Sequence, residues 1–195
     1  MKLILGHWRT PATGYQLRSV GAASIVRTMY PKGYYPMHGE SGFAEFNCLR
    51  QIPITMLAVN ERVLMWDEPP HWYGIKRCAK KMHGRVLVAG LGLGLIAHAL
   101  KSNPAVEEVV IVENNKDVID LIGPVCPSSM KIEHADWYTW GCSAFSPDSV
   151  LVDLADGDYD AIRVEKETHA CMLRFPSATS ISVHGSTTFC QPSLS

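Results

Sequence analysis

The stretch VLVAGLGLGLIAHALKSNPAVEEVVIVENN, residues 86–115, determines the fold expected for this chain. An apolar run is followed by glycines at alternate positions, then by apolar residues at helical spacing, and then by a second apolar run that Glu113 closes. Short continuous apolar runs indicate strands buried on both faces, and a 3.6-residue period between them indicates a helix. The stretch therefore predicts two parallel strands joined by a helical crossover.

Strand and helix patterns continue to alternate on both sides of this stretch. Upstream, HWYGIKRCAKKMHG predicts a helix that ends at Gly84. Downstream, KDVIDLI predicts a helix and KIEHAD a strand, and the segment EKETHACML separates two further strand patterns, DSVLVDLAD and TSISVHGS. This alternation predicts an α/β fold with a Rossmann-like, three-layer parallel sheet over residues 67–195.

Residues 1–66 have a different pattern, with short β-like segments separated by turn residues. The segments SIVRTMY, FAEFNCL, ITMLAV and RVLMW predict strands, and PKGYYPMHGESG predicts a loop between the first two. Pro69 and Pro70 then interrupt the chain. We therefore expect a small β-rich N-terminal region, residues 1–66, in front of the α/β domain.

Composition excludes several classes of function. The chain has 195 residues, 47% of them hydrophobic, and a formal net charge of −1, which argues against nucleic acid as a partner. The N-terminal residues do not resemble a secretory signal, and the longest apolar run is too short and too interrupted to span a membrane. Six scattered cysteines without close pairs indicate reduced thiols and no metal site. We expect a cytoplasmic protein with a small-molecule substrate, and the sequence leaves open whether it forms a homo-oligomer.

The glycine run indicates a ligand site at the end of the first strand. Gly90, Gly92 and Gly94 allow tight backbone turns and close approach of a ligand, and Glu113 follows about 20 residues later, where a carboxylate accepts bonds from ribose hydroxyls. A dinucleotide loop would place a third glycine at the position of Leu95, so the pattern disfavours NAD. The alternative is that the glycines serve only close packing of strand against helix.

The segments VLVAGLGLG, IVENN, HADWYTW and DSVLVDLADG together resemble the motif series of class I S-adenosylmethionine-dependent methyltransferases, and most closely the spermidine synthase-like branch. The resemblance spans roughly residues 60 to 186. It implies that the glycine loop holds the methionine part of the cofactor, Glu113 the ribose and Asp136 the adenine amino group. Asn114 and Trp137 would flank the adenine, although core packing is an equal alternative for Trp137.

The same resemblance gives DLADG a catalytic role. Aminopropyltransferases carry a D-x-x-D pattern here, which Asp153 and Asp156 match, and the first of these carboxylates helps to deprotonate the attacking amine. The alternative is a solvated acidic loop. The resemblance thus implies S-adenosylmethionine, or its decarboxylated form, as cofactor, and leaves open methyl transfer, aminopropyl transfer and a non-catalytic binding or assembly role.

Three departures from the family pattern bear on activity. Val88 and Leu93 stand where the two branches carry the acid that binds the cofactor's amino group. The polar residues near Pro69, namely Asp67, Glu68, His71 and Tyr73, do not reproduce the spermidine synthase signature. The chain also ends soon after the fifth predicted strand, so the resemblance implies a shortened version of the fold.

Overall fold

The computed structural model describes residues 2–5, 8–39, 42–141, 145–154 and 161–183. The strands within these ranges are β1 (Lys2–Leu5), β2 (Ser19–Val20), β3 (Ala23–Tyr30), β4 (Gly33–Gly39), β5 (Gly42–Cys48), β6 (Ile52–Val59), β7 (Arg62–Trp66), β8 (Gly84–Ala89), β9 (Val106–Glu113), β10 (Met130–His134), β11 (Ser149–Val152) and β12 (Ser180–Val183). The helices are α1 (Pro69–Lys81), α2 (Leu95–Lys101), α3 (Lys116–Ile122) and α4 (Ala161–Arg174). Short 3-10 turns cover Pro11–Gly14 and Gly123–Val125.

A five-stranded parallel sheet forms the centre of the α/β part. Its strand order is β10-β9-β8-β11-β12, so β8 lies in the middle, with Val86 level with Val109 on one side. All five strands end at the same edge, where the glycine loop follows β8, Asp153 follows β11, and Glu113 is the last residue of β9. The predicted α/β, Rossmann-like fold class is confirmed.

Helices cover both faces of this sheet. Val86 and Val88 lie in one apolar cluster with buried residues of α1, α2 and α3. Leu87 and Ala89 point the other way, into a second cluster that contains Val164 and other residues of α4 and its end. Strands with apolar side chains on both faces need a helical layer on each, and this gives the three-layer arrangement.

The N-terminal part contains the four predicted strands, and these belong to two sheets. Strands β2-β3-β6-β7 form an antiparallel sheet, and β1-β5-β4 form a three-stranded one. The prediction of a loop over PKGYYPMHGESG was wrong, because this segment contains β4, which pairs with β5 from Gly33 to Gly39. Pro36 and the two terminal glycines obscured the strand pattern. A proline is tolerated in β4 because β4 lies at the edge of its sheet among the described strands, where it pairs on one side only.

The four-stranded sheet packs against the helices on one side of the central sheet. Ile25 and Leu57 are buried in the same cluster as α2 and α3. At the rim, the Asp117 carboxylate accepts the Ala22 N–H at 2.8 Å, and the Arg18 guanidinium donates to the Leu121 carbonyl at 2.8 Å. This docking carries the β6–β7 hairpin to the edge where the parallel strands end.

Helix α1 ends earlier than its sequence predicts. Its last residue is Lys81, and Gly84 begins β8 with a positive φ of 60°. A Cβ at Gly84 would overlap the Asp148 carboxylate, which accepts the Arg85 N–H at 2.8 Å. Gly84 therefore serves a close approach between strands and does not terminate the helix. None of the helices in the described ranges is long and apolar enough to cross a membrane.

Candidate functional site

The glycine loop joins β8 to α2 in a backbone conformation that other residues adopt with strain. Gly90, Gly92 and Gly94 have φ values of 95°, 50° and 70°. A Cβ at Gly90 would overlap the Asp153 carbonyl oxygen, and one at Gly92 would overlap the Met65 sulfur. A Cβ at Gly94 would lie 2.7 Å from the Cys126 sulfur. The three glycines are thus required by backbone geometry and by close packing.

Most backbone N–H groups of this loop already have acceptors within the protein. Gly90 donates to the Val112 carbonyl and Gly94 to the Leu91 carbonyl, both at 2.8 Å. Leu91 donates to Glu113 Oε2 at 2.9 Å, and Leu93 donates to the Met65 thioether sulfur at 2.9 Å. An anionic ligand such as a pyrophosphate needs free N–H groups at a strand-to-helix turn. These four N–H groups are therefore not available to a pyrophosphate.

Glu113 links the end of β9 to the glycine loop. Its Oε2 accepts the Leu91 N–H, and its Oε1 accepts the Asn115 N–H at 2.8 Å. The Asn115 side chain in turn caps α3 by accepting the N–H groups of Asp117 and Val118. Each carboxylate oxygen can accept more than one hydrogen bond, so both oxygens of the half-buried Glu113 retain acceptor capacity for ligand hydroxyls.

Asp136 and Trp137 follow β10 and occupy different environments. The Asp136 side chain is exposed, and its Oδ1 accepts the Tyr138 N–H at 2.7 Å. Trp137 is only 4% exposed, and its indole N–H donates to Glu167 Oε1 at 3.0 Å. Arg174 covers the indole, with its guanidinium carbon 4.7 Å from the ring centroid. Trp137 is thus largely a core residue that presents a small part of its surface to the site.

Asp153 directly follows β11, beside the glycine loop. Its N–H donates to the Ala89 carbonyl at 2.8 Å, and its carbonyl oxygen faces Gly90. Its side chain is half-buried. The second predicted catalytic residue, Asp156, lies outside the described residues.

These elements surround one cavity of about 780 Å³ at the carboxyl edge of the central sheet. The predicted site residues that line it are Gly90, Gly92, Glu113, Asn114, Asp136, Trp137 and Asp153. Gly94 does not line it and instead packs against Cys126 and Ile122. Val88 and Leu93 stand at the two positions where the resemblance would place an acid. Both are fully buried core residues, and neither lines the cavity.

The N-terminal part supplies the other wall of the cavity. Asn60, Arg62 and Met65 of the β6–β7 hairpin line it, as does His71 of α1. The turn of this hairpin has positive φ values of 48° at Asn60 and 64° at Glu61. Nothing in the local sequence pattern indicates that the hairpin reaches the glycine loop, so its lining residues were not predicted. His71 of α1 was predicted only as a polar candidate.

Asp67, another polar candidate, has a structural environment away from this cavity. It is fully buried, and it accepts the Thr55 N–H at 2.6 Å and a hydrogen bond from the Thr10 hydroxyl. Burial raises the pKa of the Asp67 carboxyl above its usual range, and the hydrogen bonds from Thr10 and Thr55 oppose that shift. Asp67 therefore ties the 3-10 turn to the four-stranded sheet.

The charges that line the cavity are mainly negative. Glu113, Asp136 and Asp153 contribute carboxylates. Arg62 contributes the only guanidinium among the described lining residues. Such a lining favours ligands that carry positive charge. Across the described residues no group of three or more His, Cys, Asp or Glu side chains could hold a metal ion.

Comparisons with known proteins found matches among solved structures only. No family model and no curated protein sequence matches it. A spermidine synthase from Thermotoga maritima matches with 14% identity and a TM-score of 0.44, over 80% of this chain and 65% of that one. The YcgJ protein from Bacillus subtilis matches with 21% identity and a TM-score of 0.33, over 57% and 62%. MnmC2 from Aquifex aeolicus matches with 14% identity and a TM-score of 0.30, over 64% and 50%. The chain thus spans less than two thirds of each of these proteins.

Proposed function

We propose that the cavity at the carboxyl edge binds the adenosyl group of S-adenosylmethionine or of its decarboxylated form. The protein would then be a transferase that acts on a small molecule. The observation that carries this proposal is the position of Glu113, whose carboxylate lies between the glycine loop and Asn115 and retains acceptor capacity toward the cavity. Two ribose hydroxyls are suitable partners for such a carboxylate.

The neighbouring residues suit the rest of an adenosine. The exposed Asp136 carboxylate can accept a hydrogen bond from the adenine amino group, while Asn114 and the accessible part of Trp137 flank the base. A volume of about 780 Å³ leaves room for a second small molecule beside a nucleoside. In this proposal residues 67–195 form the binding domain and residues 1–66 supply a cover over it.

The proposed chemistry is an in-line displacement at a carbon attached to the sulfonium. The carbon–sulfur bond breaks as the bond to the nucleophile forms, and the thioether leaves with the electron pair. The protein contributes mainly positioning. Asp153 would orient the nucleophile and accept its proton, because a half-buried carboxylate beside the glycine loop lies close to the reacting centre in this arrangement. The equivalent role of Asp156 stays a prediction.

A second candidate function, aminopropyl transfer from decarboxylated S-adenosylmethionine, is favoured by the charges of the cavity. Two N–H groups of the glycine loop are already bonded within the protein, Leu91 to Glu113 and Leu93 to Met65, which leaves fewer donors for the cofactor's carboxylate. Three carboxylates against one guanidinium further favour the more cationic ligand. The carboxylate of Asp153 would then pair with the aminopropyl ammonium or with an amine acceptor.

A panel of ligands in thermal unfolding tests the proposal. S-adenosylmethionine, its decarboxylated form, methylthioadenosine and NAD are each added in excess, and the melting temperature is followed. We expect stabilisation by at least one adenosyl sulfonium and none by NAD. If none of the three sulfur-containing nucleosides raises the melting temperature at millimolar concentration, the proposal fails. Binding without transfer to any amine or methyl acceptor would assign the protein to the non-catalytic alternative.

A further inference from the structure

A second cavity, of about 500 Å³, lies between α1 and α2. Trp72, Lys76 and Lys80 line it from α1, while His98 and Ser102 line it from the side of α2. It shares no lining residue with the first cavity. Among the described residues that surround it there is no acidic side chain, whereas Lys76 and Lys80 are four residues apart on α1.

The walls of this second cavity are apolar and contain an aromatic surface. Trp72 is half-buried, and Pro11, Ala79, Ala99 and Pro104 extend the apolar lining. The Lys76 ammonium lies 5.4 Å from the centroid of the Trp72 ring. An apolar wall beside a cation complements a ligand that has a flat ring at one end and a negative charge at the other.

Hydrogen bonds hold the two sides of this cavity at a fixed separation. The Asn103 side-chain amide donates to the Ala79 carbonyl at 2.7 Å and to the Met82 carbonyl at 2.8 Å, so the end of α2 is joined to the end of α1. Ligand sites are usually preformed in this way, and 500 Å³ lies in the range of small-molecule pockets.

The two lysines are unfavourable neighbours when the cavity is empty. Both lysines are exposed, yet the desolvation of Lys76 against the cavity wall and, to a smaller degree, the charge of Lys80 lower the pKa of Lys76. Like charges four residues apart on a helix repel each other. An anion between the ammonium groups would remove this repulsion, which gives an anionic ligand an advantage over a neutral one of the same shape.

We propose that the cavity between α1 and α2 binds a small aromatic carboxylate, with its ring against Trp72 and its carboxylate between Lys76 and Lys80. This proposal does not depend on the function proposed for the first cavity. The ligand class follows from the volume of the cavity, its apolar walls and the sign of its charges.

Calorimetric titration with indole-3-propionate tests this proposal, with tryptamine as the cationic and indole as the neutral counterpart. We expect indole-3-propionate to bind more tightly than both. The double variant Lys76→Gln/Lys80→Gln should weaken its binding by about tenfold or more, since two ion pairs are lost. Lys101→Gln, which removes an exposed α2 lysine outside the cavity, should leave the affinity unchanged.

The proposal would be overturned by no binding of indole-3-propionate at millimolar concentration, by equal binding of tryptamine or indole, or by unchanged affinity in the double variant. Loss of affinity in Trp72→Leu, with the melting temperature of the variant as a check on folding, would locate the ligand in this cavity. Unchanged affinity in that folded variant would also contradict the proposal. Because the probe has no adenosyl group, these results are separate from those of the adenosyl panel.

Discussion

The Glu113 carboxylate accepts the Leu91 N–H at 2.9 Å, which fixes the end of β9 to the glycine loop that follows β8. The same carboxylate accepts the Asn115 N–H and thereby reaches the start of α3. One side chain therefore connects three elements at the carboxyl edge of the sheet. Both the geometry of the loop and the proposed ribose contact depend on it.

The contact between Gly92 and Met65 should make substitutions at these two positions interdependent. Gly92→Ala places a Cβ on the Met65 sulfur at a φ of 50°, so we expect a loss of unfolding free energy of about 2–3 kcal/mol, part strain and part overlap. Adding Met65→Ala to the Gly92→Ala variant should recover the part of the free-energy loss that comes from overlap, whereas the part that comes from backbone strain should remain. Urea unfolding of the two single variants and the double variant measures this coupling. Strictly additive losses would mean that the two residues do not press on each other.

Arg174 should hold the loop that contains Trp137. Its guanidinium donates to the Trp137 carbonyl at 2.7 Å and to the Trp140 carbonyl, and it lies over the Trp137 ring. We expect Arg174→Lys to lower the unfolding free energy by about 1–2 kcal/mol, because an ammonium does not reproduce this forked geometry. Near-ultraviolet circular dichroism should show altered tryptophan packing. The control is Lys166→Ala, at an exposed position on the same helix. An equal loss of stability in this control would contradict the role of Arg174 in holding the Trp137 loop.

The sequence predicts the strands and helices of the α/β part, but it does not predict the long-range side-chain contacts at Met65 and Arg174. The buried strands and their order of succession follow from apolar runs separated by helical patterns, and the placement of Glu113 and Asp153 at one edge follows from parallel strands ending together. In contrast, the Met65 sulfur against Leu93 and the Arg174 guanidinium over Trp137 join residues far apart in the chain. No local spacing encodes such pairs, because they depend on how the hairpin and α4 dock.

The missed strand β4 and the misplaced end of α1 have local causes. Pro36 and the glycines at either end of β4 read as turn residues, and only the pairing with β5 makes the segment a strand. Gly84 resembles a helix terminator, but it begins β8 with a positive φ, and its lack of a Cβ leaves room for the Asp148 carboxylate. The same residue type serves turns, helix ends and close approaches, and its surroundings decide among them.

Asp67 should contribute to stability through its hydrogen bonds and less through its charge. Asp67→Ala leaves the buried Thr55 N–H without its acceptor, which we expect to cost about 2–3 kcal/mol in urea unfolding. Asp67→Asn keeps an oxygen acceptor and should cost less. A comparable loss in both variants would show that the charge itself is required.

The pH dependence of Asp67 has a definite sign. Because burial raises its folded-state pKa, its contribution to stability is complete below the ordinary carboxyl pKa and falls as the pH rises through the folded pKa. The difference in unfolding free energy between the wild type and Asp67→Asn should therefore shift in favour of the asparagine variant as the pH is raised. A shift in favour of the wild type would contradict the raised pKa.

The most direct test of the central claim is calorimetric titration of decarboxylated S-adenosylmethionine and S-adenosylmethionine into the wild type, Glu113→Gln and Glu107→Gln. Glu107 is exposed near the start of the same strand and does not line the cavity, so it controls for the loss of a charge. Loss of a carboxylate that holds ribose hydroxyls should weaken binding by about tenfold to a hundredfold. The account predicts this loss in Glu113→Gln alone. The glutamine oxygen can still accept one of the two N–H groups that Glu113 accepts, so the secondary structure seen by circular dichroism should be retained. Equal affinity of Glu113→Gln and the wild type would contradict the adenosyl site.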